Sequence, residues 1–301
     1  MKAVRIHAFG GPEVLQLEEA PRPMPSPDEV LIKVYASGVN PVDWKIRKGL
    51  RTEKFPTGFP LTLGWDVSGV VVEVGSAVRN LHLGDRVYSR PDPTRNGTYA
   101  EYVAVKADQV GRSPRTLDYV QAAAVPLAGL TAWQGLFDHG HLRSGQTVLI
   151  HAASGGVGVY AVQFAKWRGA KVVATTSTHN VTFVKDLGAD EVIDYTQQKF
   201  EDVAKDVDLV LDTLGEDVQQ RSKQTLKPGG RIVTTVKPET PEVIGFMAQS
   251  YPEQLEQIAR LIDEGMVHPV IAQVFHLDQA AQAQQASEKG HVRGKIVLKV
   301  V

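Results

Sequence analysis

The chain has 301 residues, an apolar fraction of 43% and a formal net charge of −1. This length is sufficient for two domains, and the scattered basic residues exclude the strongly positive surface that nucleic acids require. No apolar run approaches the roughly 18 residues of a membrane span. The lack of cysteine excludes disulfides, thiolate metal ligands and a thiol nucleophile. We expect a cytoplasmic protein without nucleic-acid or membrane partners.

The sequence pattern changes once along the chain. Residues 1–121 are punctuated by Gly and Pro and contain short β-branched runs, which is typical of a compact β-rich domain. From residue 122, helical and strand patterns alternate, beginning with an Ala-rich helix. Apolar strands separated by helices predict a parallel, doubly wound sheet, an α/β class of fold. Strands are predicted at 147–151, 171–176, 191–194, 207–212 and 231–236, helices at 156–168 and 252–264, and a last strand at 294–300.

The most specific motif is the glycine-rich turn that follows the strand at 147–151. Ala153, Gly155 and Gly158 occupy the three positions of a G-x-G-x-x-G fingerprint, so the first glycine is replaced. Such glycines let the backbone approach a pyrophosphate, whose charge then lies at the positive end of the following helix. The alternative is a tight strand-to-helix turn that binds no ligand.

The end of the next strand indicates which dinucleotide is bound. NAD-binding turns usually place Asp or Glu about 20 residues further on, where it binds the ribose hydroxyls. Here the strand ends in Thr176-Ser177-Thr178-His179-Asn180, without a carboxylate to repel a 2′-phosphate. These polar side chains favour NADPH over NADH, although a polar loop that caps the next helix would have the same composition.

Several blocks in a fixed order resemble the quinone oxidoreductase (zeta-crystallin-like) branch of the zinc-independent medium-chain dehydrogenases/reductases. The similarity covers nearly the whole chain, and several blocks together are far more specific than any one of them. They are Gly38–Lys45, Gly64–Val71, Gly97–Tyr102, Pro126–Trp133, the glycine turn and Leu187–Tyr195.

This resemblance implies a GroES-like catalytic domain, a Rossmann cofactor domain and a homodimer. It places the last strand back with the first domain, which periodicity alone does not show. The expected domains are therefore 1–121 completed by 266–301, and 122–265 as the Rossmann domain.

The resemblance also assigns expected cofactor contacts. Thr131 would lie near the nicotinamide, and Tyr195 would flank the adenosine unless it only packs at the end of its strand. Lys45 is a further candidate, because in some relatives the matching lysine contacts the cofactor. The remaining candidates are Ser154, Gly155, Gly156 and Val157 at the pyrophosphate, Thr176, Ser177, Thr178 and Asn180 at the adenosine phosphate, and Leu214, Gly215 and Val236 at later strand ends.

We expect no metal. Zinc-dependent alcohol dehydrogenases of the superfamily have a Cys ligand where this chain has Asn40, and a His–Glu pair where it has Trp65-Asp66. A catalytic zinc needs three nitrogen, sulfur or carboxylate ligands at close spacing. No histidine pair has helical i, i+4 spacing, and the His139-Gly140-His141 segment is typical of a solvated helix end.

The missing metal favours conjugated acceptors over alcohols. Zinc stabilises the charge that develops on a carbonyl or alkoxide oxygen, whereas hydride addition to the β-carbon of an enone, or to a quinone, spreads that charge onto a distant oxygen. Lys45 and Asn40 are the predicted hydrogen-bond donors to this oxygen, and solvent supplies the proton. A solvated helix-face lysine and a turn asparagine before Pro41 are the structural alternatives.

Two other functions stay open at this stage. Acyl-thioester enoyl reductases carry a similar glycine turn, although no carrier domain or basic docking patch accompanies it here. An NADPH-binding protein with little turnover is the second alternative, because lens crystallins also resemble the family. The loops at 49–60 and 243–251, which shape the predicted pocket, carry little information on the substrate.

Overall fold

The computed structural model describes residues 1–50 and 58–301. The predicted pocket loop at 49–60 therefore lies largely outside the described residues. The strands are β1 Lys2–Ile6, β2 Gln16–Glu19, β3 Glu29–Val39, β4 Leu61–Thr62, β5 Val67–Val74, β6 Arg86–Ser89, β7 Tyr102–Lys106, β8 Val110–Arg112, β9 Thr147–Ile150, β10 Lys171–Thr176, β11 Glu191–Asp194, β12 Val207–Asp212, β13 Leu226–Thr234, β14 Ile244–Gly245, β15 Ile271–His276 and β16 Lys295–Lys299.

The α-helices are short, and none of the described helices is long and apolar enough to cross a bilayer. They are α1 Pro41–Arg47, α2 Tyr119–Ala123, α3 Pro126–Trp133, α4 Gly158–Trp167, α5 Val181–Asp186, α6 Phe200–Val203, α7 Asp217–Ser222, α8 Pro252–Asp263 and α9 Ala280–Lys289. A π-helical turn, Gln134–His139, continues α3.

The chain divides into two compact units. The first contains 1–127, 249–264 and 269–301, and the second contains 128–248 with 265–268. The C-terminal strand lies in the first unit, as the sequence predicts. Helix α8 also groups with the first unit, whereas the sequence bounds assign it to the cofactor domain. This helix is amphipathic and buries Leu255 and Ile258, and the hydroxyl of Tyr88 on β6 donates a 2.5 Å hydrogen bond to the Leu255 carbonyl.

The first unit is rich in β-structure. One sheet runs β15-β16-β3-β5-β6-β8, with β7 also pairing with β3, and a smaller sheet runs β2-β1-β4. The long strand β3 carries Val30, Ile32 and Val34 into the core, each fully buried. A separate apolar cluster includes Trp65, Leu63 and Tyr99, so Trp65 is a core residue.

The second unit contains a parallel sheet in the order β11-β10-β9-β12-β13-β14. Numbered from β9, this is the order 3-2-1-4-5-6 of dinucleotide-binding folds. Strand β9 carries Val148, Leu149 and Ile150, each 1% exposed or less, as expected for strands covered by helices on both faces. The doubly wound α/β fold that the sequence predicts is confirmed.

The predicted bounds of strands and helices agree closely with the observed ones where apolar runs are continuous. Strands β10, β11 and β12 match their predicted bounds. Helix α4 begins at Gly158 rather than 156, because residues 152–157 form turns after β9. Strand β13 begins earlier than predicted and ends at Thr234, so Val236 lies in the loop after it.

Candidate active site

The glycine turn connects β9 to α4 in the second unit. Ala152 adopts a positive φ of 50°, and its carbonyl accepts a 2.9 Å hydrogen bond from the Gly155 amide. A Cβ built on Gly155 would meet one atom within 4 Å, the Ala152 oxygen at 3.3 Å. A Cβ on Gly158 would lie only 2.5 Å from that oxygen. Gly155 is therefore the less crowded of the two positions, and Gly158 allows helix α4 to pack closely on the turn.

This turn has the donors that a pyrophosphate requires. Ser154, Gly155, Gly156 and Val157 are all partly exposed, and the first-turn amides of a helix have no intrahelical acceptor. Helix α4 is otherwise buried through Val159–Ala165, so its N-terminus is the end open to a ligand. The residues fit a dinucleotide phosphate.

Hydroxyl groups surround the end of β10, where the sequence places the adenosine phosphate. The Thr176 hydroxyl donates to the Ser154 hydroxyl at 3.1 Å. The Asn180 side-chain amide donates to the Ser177 hydroxyl at 3.2 Å. Four of the predicted contacts thus lie at one edge of the sheet, and they link the glycine turn to the loop after β10.

The expectation that no carboxylate lies near this loop is wrong. Strand β11 pairs with β10 so that Asp194 lies beside Thr176, and the Thr178 hydroxyl donates to Asp194 at 2.6 Å. This hydrogen bond is the main reason that the pKa of Asp194 lies below its ordinary value. The sequence contains the signal for this contact, because adjacent parallel strands end at the same edge of a sheet.

Asp212 organises the loops after β12 and β13, and sequence reasoning missed it. Its carboxylate accepts hydrogen bonds from the amides of Leu214 at 2.9 Å and Gly215 at 3.1 Å. It also accepts from the Thr234 hydroxyl at 2.8 Å, and that hydroxyl in turn accepts from the Val236 amide at 3.2 Å. The predicted contacts Leu214, Gly215 and Val236 are thus brought together by one buried aspartate.

The last two predicted cofactor residues of this unit lie in different environments. Thr131 is 8% exposed on α3, whereas Tyr195 is 52% exposed directly after β11. The exposure of Tyr195 leaves its ring face open to a ligand. It argues against the alternative in which Tyr195 only packs at its strand end.

In the first unit, Asn40 lies where β3 ends and α1 begins. It is 4% exposed, and its side-chain amide donates to Asp66 at 2.8 Å. Its side-chain oxygen accepts a hydrogen bond from Lys295. The oxygen and one N–H of this amide are therefore engaged by buried charged groups.

Asp66 and Lys295 form a buried ion pair that fixes Asn40. Lys295 Nζ lies 3.2 Å from Asp66, and the other Asp66 oxygen accepts from the Leu127 amide at 2.6 Å. Burial raises the pKa of Asp66, and the Lys295 charge opposes that rise. Lys295 was not a sequence candidate, because its partner is 229 residues away.

A second buried carboxyl, Asp43, lies one helical turn further on. It accepts hydrogen bonds from the Asn40 backbone amide at 2.8 Å and from the Tyr99 hydroxyl at 2.7 Å. Complete burial raises the pKa of Asp43 to about 7. Asp43 is therefore a buried carboxyl beside Asn40 that sequence reasoning did not identify.

Lys45, the other predicted donor, lies on α1. It is half-buried, and its Nζ is 5.4 Å from the centre of the Trp44 ring. Lys48 lies at nearly the same distance, 5.5 Å, from that ring. Asn40 and Lys45 thus belong to one short segment, in which Asn40 is held by buried charges.

The described residues contain no group of three or more His, Cys, Asp or Glu that could hold a metal ion. His141 contacts the Phe137 carbonyl at 3.3 Å, and the ring of His139 packs on Phe246 with 4.6 Å between centroids. The two histidines therefore have separate protein neighbours.

Comparison with known proteins identifies the family. Residues 26–115 match the alcohol dehydrogenase GroES-like domain, and residues 187–298 match the family described as zinc-binding dehydrogenase. The NADPH-dependent alkenal/one oxidoreductase, chloroplastic, of Arabidopsis thaliana is 37% identical over 99% of this chain and 79% of its own length. The chain belongs to the quinone oxidoreductase family of medium-chain dehydrogenases/reductases.

Solved structures of family members agree with this assignment over the full length. The quinone oxidoreductase from Coxiella burnetii has a TM-score of 0.93 and 37% identity, and the match covers 100% of this chain and 99% of that one. The Escherichia coli quinone oxidoreductase complexed with NADPH has a TM-score of 0.89 and 28% identity, with both chains covered completely. The expectation of a GroES-like and a Rossmann domain is thereby confirmed.

Proposed function

We propose that the protein is an NADPH-dependent oxidoreductase that transfers hydride to quinones or to the C=C bond of α,β-unsaturated carbonyl compounds without a metal. The observation that carries the proposal is the state of Asn40. At a position where zinc enzymes of the superfamily have a cysteine ligand, Asn40 is locked between Asp66 and Lys295. Such an amide is a rigid hydrogen-bond donor.

The names of the relatives support both substrate and cofactor. One is named an NADPH-dependent alkenal/one oxidoreductase, and two structural neighbours are named quinone oxidoreductases, one of them complexed with NADPH. NADPH, when bound, supplies the hydride. We propose that Ser154, Gly155, Gly156 and Val157 hold its pyrophosphate, and that Thr176, Ser177, Thr178 and Asn180 hold its adenosine phosphate.

The remaining cofactor contacts follow the strand ends. Thr131 would lie near the nicotinamide, with Tyr195, Leu214, Gly215 and Val236 along the crevice outside the carboxyl ends of the strands. Asp212 holds the loop that contains Leu214 and Gly215 in place through two backbone amides. These assignments correspond to the usual ligand position in an open parallel sheet.

The protein's own contribution to the reaction is hydrogen-bond donation to the acceptor oxygen. The side-chain amide of Asn40 and the Lys45 ammonium stabilise negative charge that develops on that oxygen when hydride reaches the β-carbon. One positioned donor of this kind is worth roughly 10²- to 10³-fold in rate. The proton that completes the product comes from solvent.

Cellular location and assembly are further parts of the proposal. We propose a cytoplasmic homodimer that acts on a small molecule. The chloroplastic Arabidopsis relative shows that family members occupy more than one compartment.

The experiment is NADPH and NADH oxidation by the chelator-treated protein with quinones, linear enones and acyl-thioester enoates as acceptors. We expect turnover with NADPH, insensitive to chelator, on quinones or enones. Turnover confined to thioesters would identify an acyl-thioester enoyl reductase, and NADPH binding without turnover would identify a binding protein.

Two matched lysine variants locate the donor. Lys45→Met should lower kcat about 100- to 1000-fold, because one donor to the acceptor oxygen is lost. Lys48→Met is the control, because Lys48 lies over the same Trp44 ring, and it should stay within about twofold of the wild type. Equal effects of both variants would remove Lys45 from the mechanism.

A further inference from the structure

Arg90 lies directly after β6, beside the polar cluster of Asn40, Asp66 and Lys295. Strands β5 and β6 are antiparallel, and their last registered pair joins Val67 to Ser89. One further step in this register brings Arg90 opposite Asp66. Arg90 is only 6% exposed, so its guanidinium is a cation enclosed in the first unit.

Asp66, which the strand register places opposite Arg90, is already occupied. One Asp66 oxygen accepts from Asn40 and Lys295, and the other accepts from the Leu127 amide. Lys295 supplies the charge that balances Asp66. Arg90 therefore places a second positive charge beside the Asp66–Lys295 ion pair.

Arg90 has little compensation from the protein itself. Its Nε is buried and has no hydrogen-bond partner among the residues that the structure describes. Burial lowers the pKa of Arg90, and the charges of Asp66 and Asp92 oppose that shift without forming a hydrogen bond to it. Arginine nevertheless keeps its proton in proteins.

An unpaired buried cation destabilises the folded state. Removing an ion from water costs several kcal/mol, which only a close partner of opposite charge offsets. We propose that Arg90 binds a carboxylate carried by the substrate, so that the preferred acceptors are anionic enones or quinones. This inference rests on the proposed function and narrows its substrate class. A guanidinium suits the role because its planar donors match a carboxylate in two parallel hydrogen bonds.

A permanent anion differs kinetically from the oxygen charge that Asn40 and Lys45 stabilise. A carboxylate is charged before the reaction starts, so its contact with Arg90 strengthens substrate binding and appears in KM. A donor to the developing oxygen charge appears in kcat instead. The two roles are therefore separable by measurement.

The experiment compares 4-phenylbut-3-en-2-one with its ortho-, meta- and para-carboxyphenyl analogues. In the wild type, at least one carboxyphenyl analogue should have a higher kcat/KM than the neutral enone. Arg90→Met should lower kcat/KM for that carboxylate about 30-fold or more, mainly through KM, because the charged pair is lost. The neutral enone should change less than about threefold, and Arg90→Lys should restore part of the loss. Arg115→Met is the control, because Arg115 is 93% exposed.

The unfolding midpoint of Arg90→Met distinguishes this role from a structural one, because loss of a structural residue would lower the midpoint. Arg90→Met removes an uncompensated charge, so its unfolding midpoint should equal or exceed that of the wild type, and the NADPH dissociation constant should not change. A lower midpoint, an equal loss on neutral and charged acceptors, or a wild type that rejects every carboxylate would overturn the role of Arg90 while leaving the reductase intact.

Calorimetry separates this role from failure of the proposed function. If no acceptor is turned over, the proposed function fails. Binding of the carboxyphenyl enones to the NADP⁺-loaded protein, lost in Arg90→Met, would still support the anion site. Equal binding to both proteins, or to neither, would contradict it.

Discussion

The two units hold their candidate functional residues by different physical means. In the first unit, Asn40 is fixed by Asp66 and Lys295, which are all less than 5% exposed. In the second, the candidate groups are backbone amides and hydroxyls at a partly exposed sheet edge, such as Ser154 and Ser177. Buried charges give rigid positioning at a cost in stability, whereas an edge of small residues leaves room for a ligand backbone to approach.

A strong effect on stability is expected at the buried pair of the first unit. Lys295→Met should lower the free energy of unfolding by about 3 kcal/mol, because Asp66 loses its closest opposite charge in a buried environment. Lys299→Met is the matched control on the same strand, since Lys299 is exposed, and it should cost less than about 0.5 kcal/mol. Urea unfolding of both variants measures the difference, and similar losses would contradict the account.

The pH dependence of stability should have opposite signs in the two units. Burial raises the pKa of Asp43 to about 7, so the folded state binds this proton more tightly than the unfolded state. The contribution of protonated Asp43 to the free energy of unfolding is fully present below about pH 4. Up to about 4 kcal/mol of it is lost as pH rises towards 7. Asp43→Asn should therefore gain stability relative to the wild type across that range in urea titrations.

His151 provides the opposite slope in the second unit. Its ring contacts the hydroxyls of Thr175 at 3.1 Å and Ser222 at 2.9 Å, and burial lowers the pKa of His151 to about 4. The folded state keeps the ring neutral, so stability present above about pH 6.5 is lost as pH falls towards 4, by about 3 kcal/mol. His151→Gln should flatten this slope, and an unchanged slope would remove His151 as its source.

Two glycines of the same turn should separate binding from folding. Gly155→Val should raise the NADPH dissociation constant roughly 30-fold, about 2 kcal/mol, because the side chain fills the open approach to the backbone. Its free energy of unfolding should fall by less than that of Gly158→Ala. Gly158→Ala should instead cost about 1–3 kcal/mol in stability, since its Cβ would lie 2.5 Å from the Ala152 oxygen. Fluorescence titration and urea unfolding check the two values, and an exchange of the two phenotypes would refute these roles.

The smallest predicted effect concerns Asp194. Asp194→Asn removes a negative charge beside the proposed phosphate site and should raise the preference for NADPH over NADH about three- to tenfold, as expected for one partly screened charge. Glu191→Gln, at the other end of the same strand, is the control. A preference that falls in Asp194→Asn would mean that Asp194 orients Thr178 towards the phosphate rather than repelling it.

The sequence was most informative where one short segment determines the structure. Strands β10, β11 and β12 were predicted because each is a continuous apolar run between turn residues, and the glycine turn because its spacing is local. Lys295 and Asp212 could not be found in this way, since their roles depend on contacts between distant segments. Arg90 is similar, because only the pairing of β5 with β6 brings it opposite Asp66.

The most direct test of the central claim follows deuterium from C4-labelled NADPH into the product of an enone. The account predicts a saturated ketone that carries deuterium at the β-carbon, formed by the chelator-treated protein and detected by NMR and mass spectrometry. An allylic alcohol with deuterium on the former carbonyl carbon would contradict it, because the protein would then be reducing the carbonyl group as an alcohol dehydrogenase does.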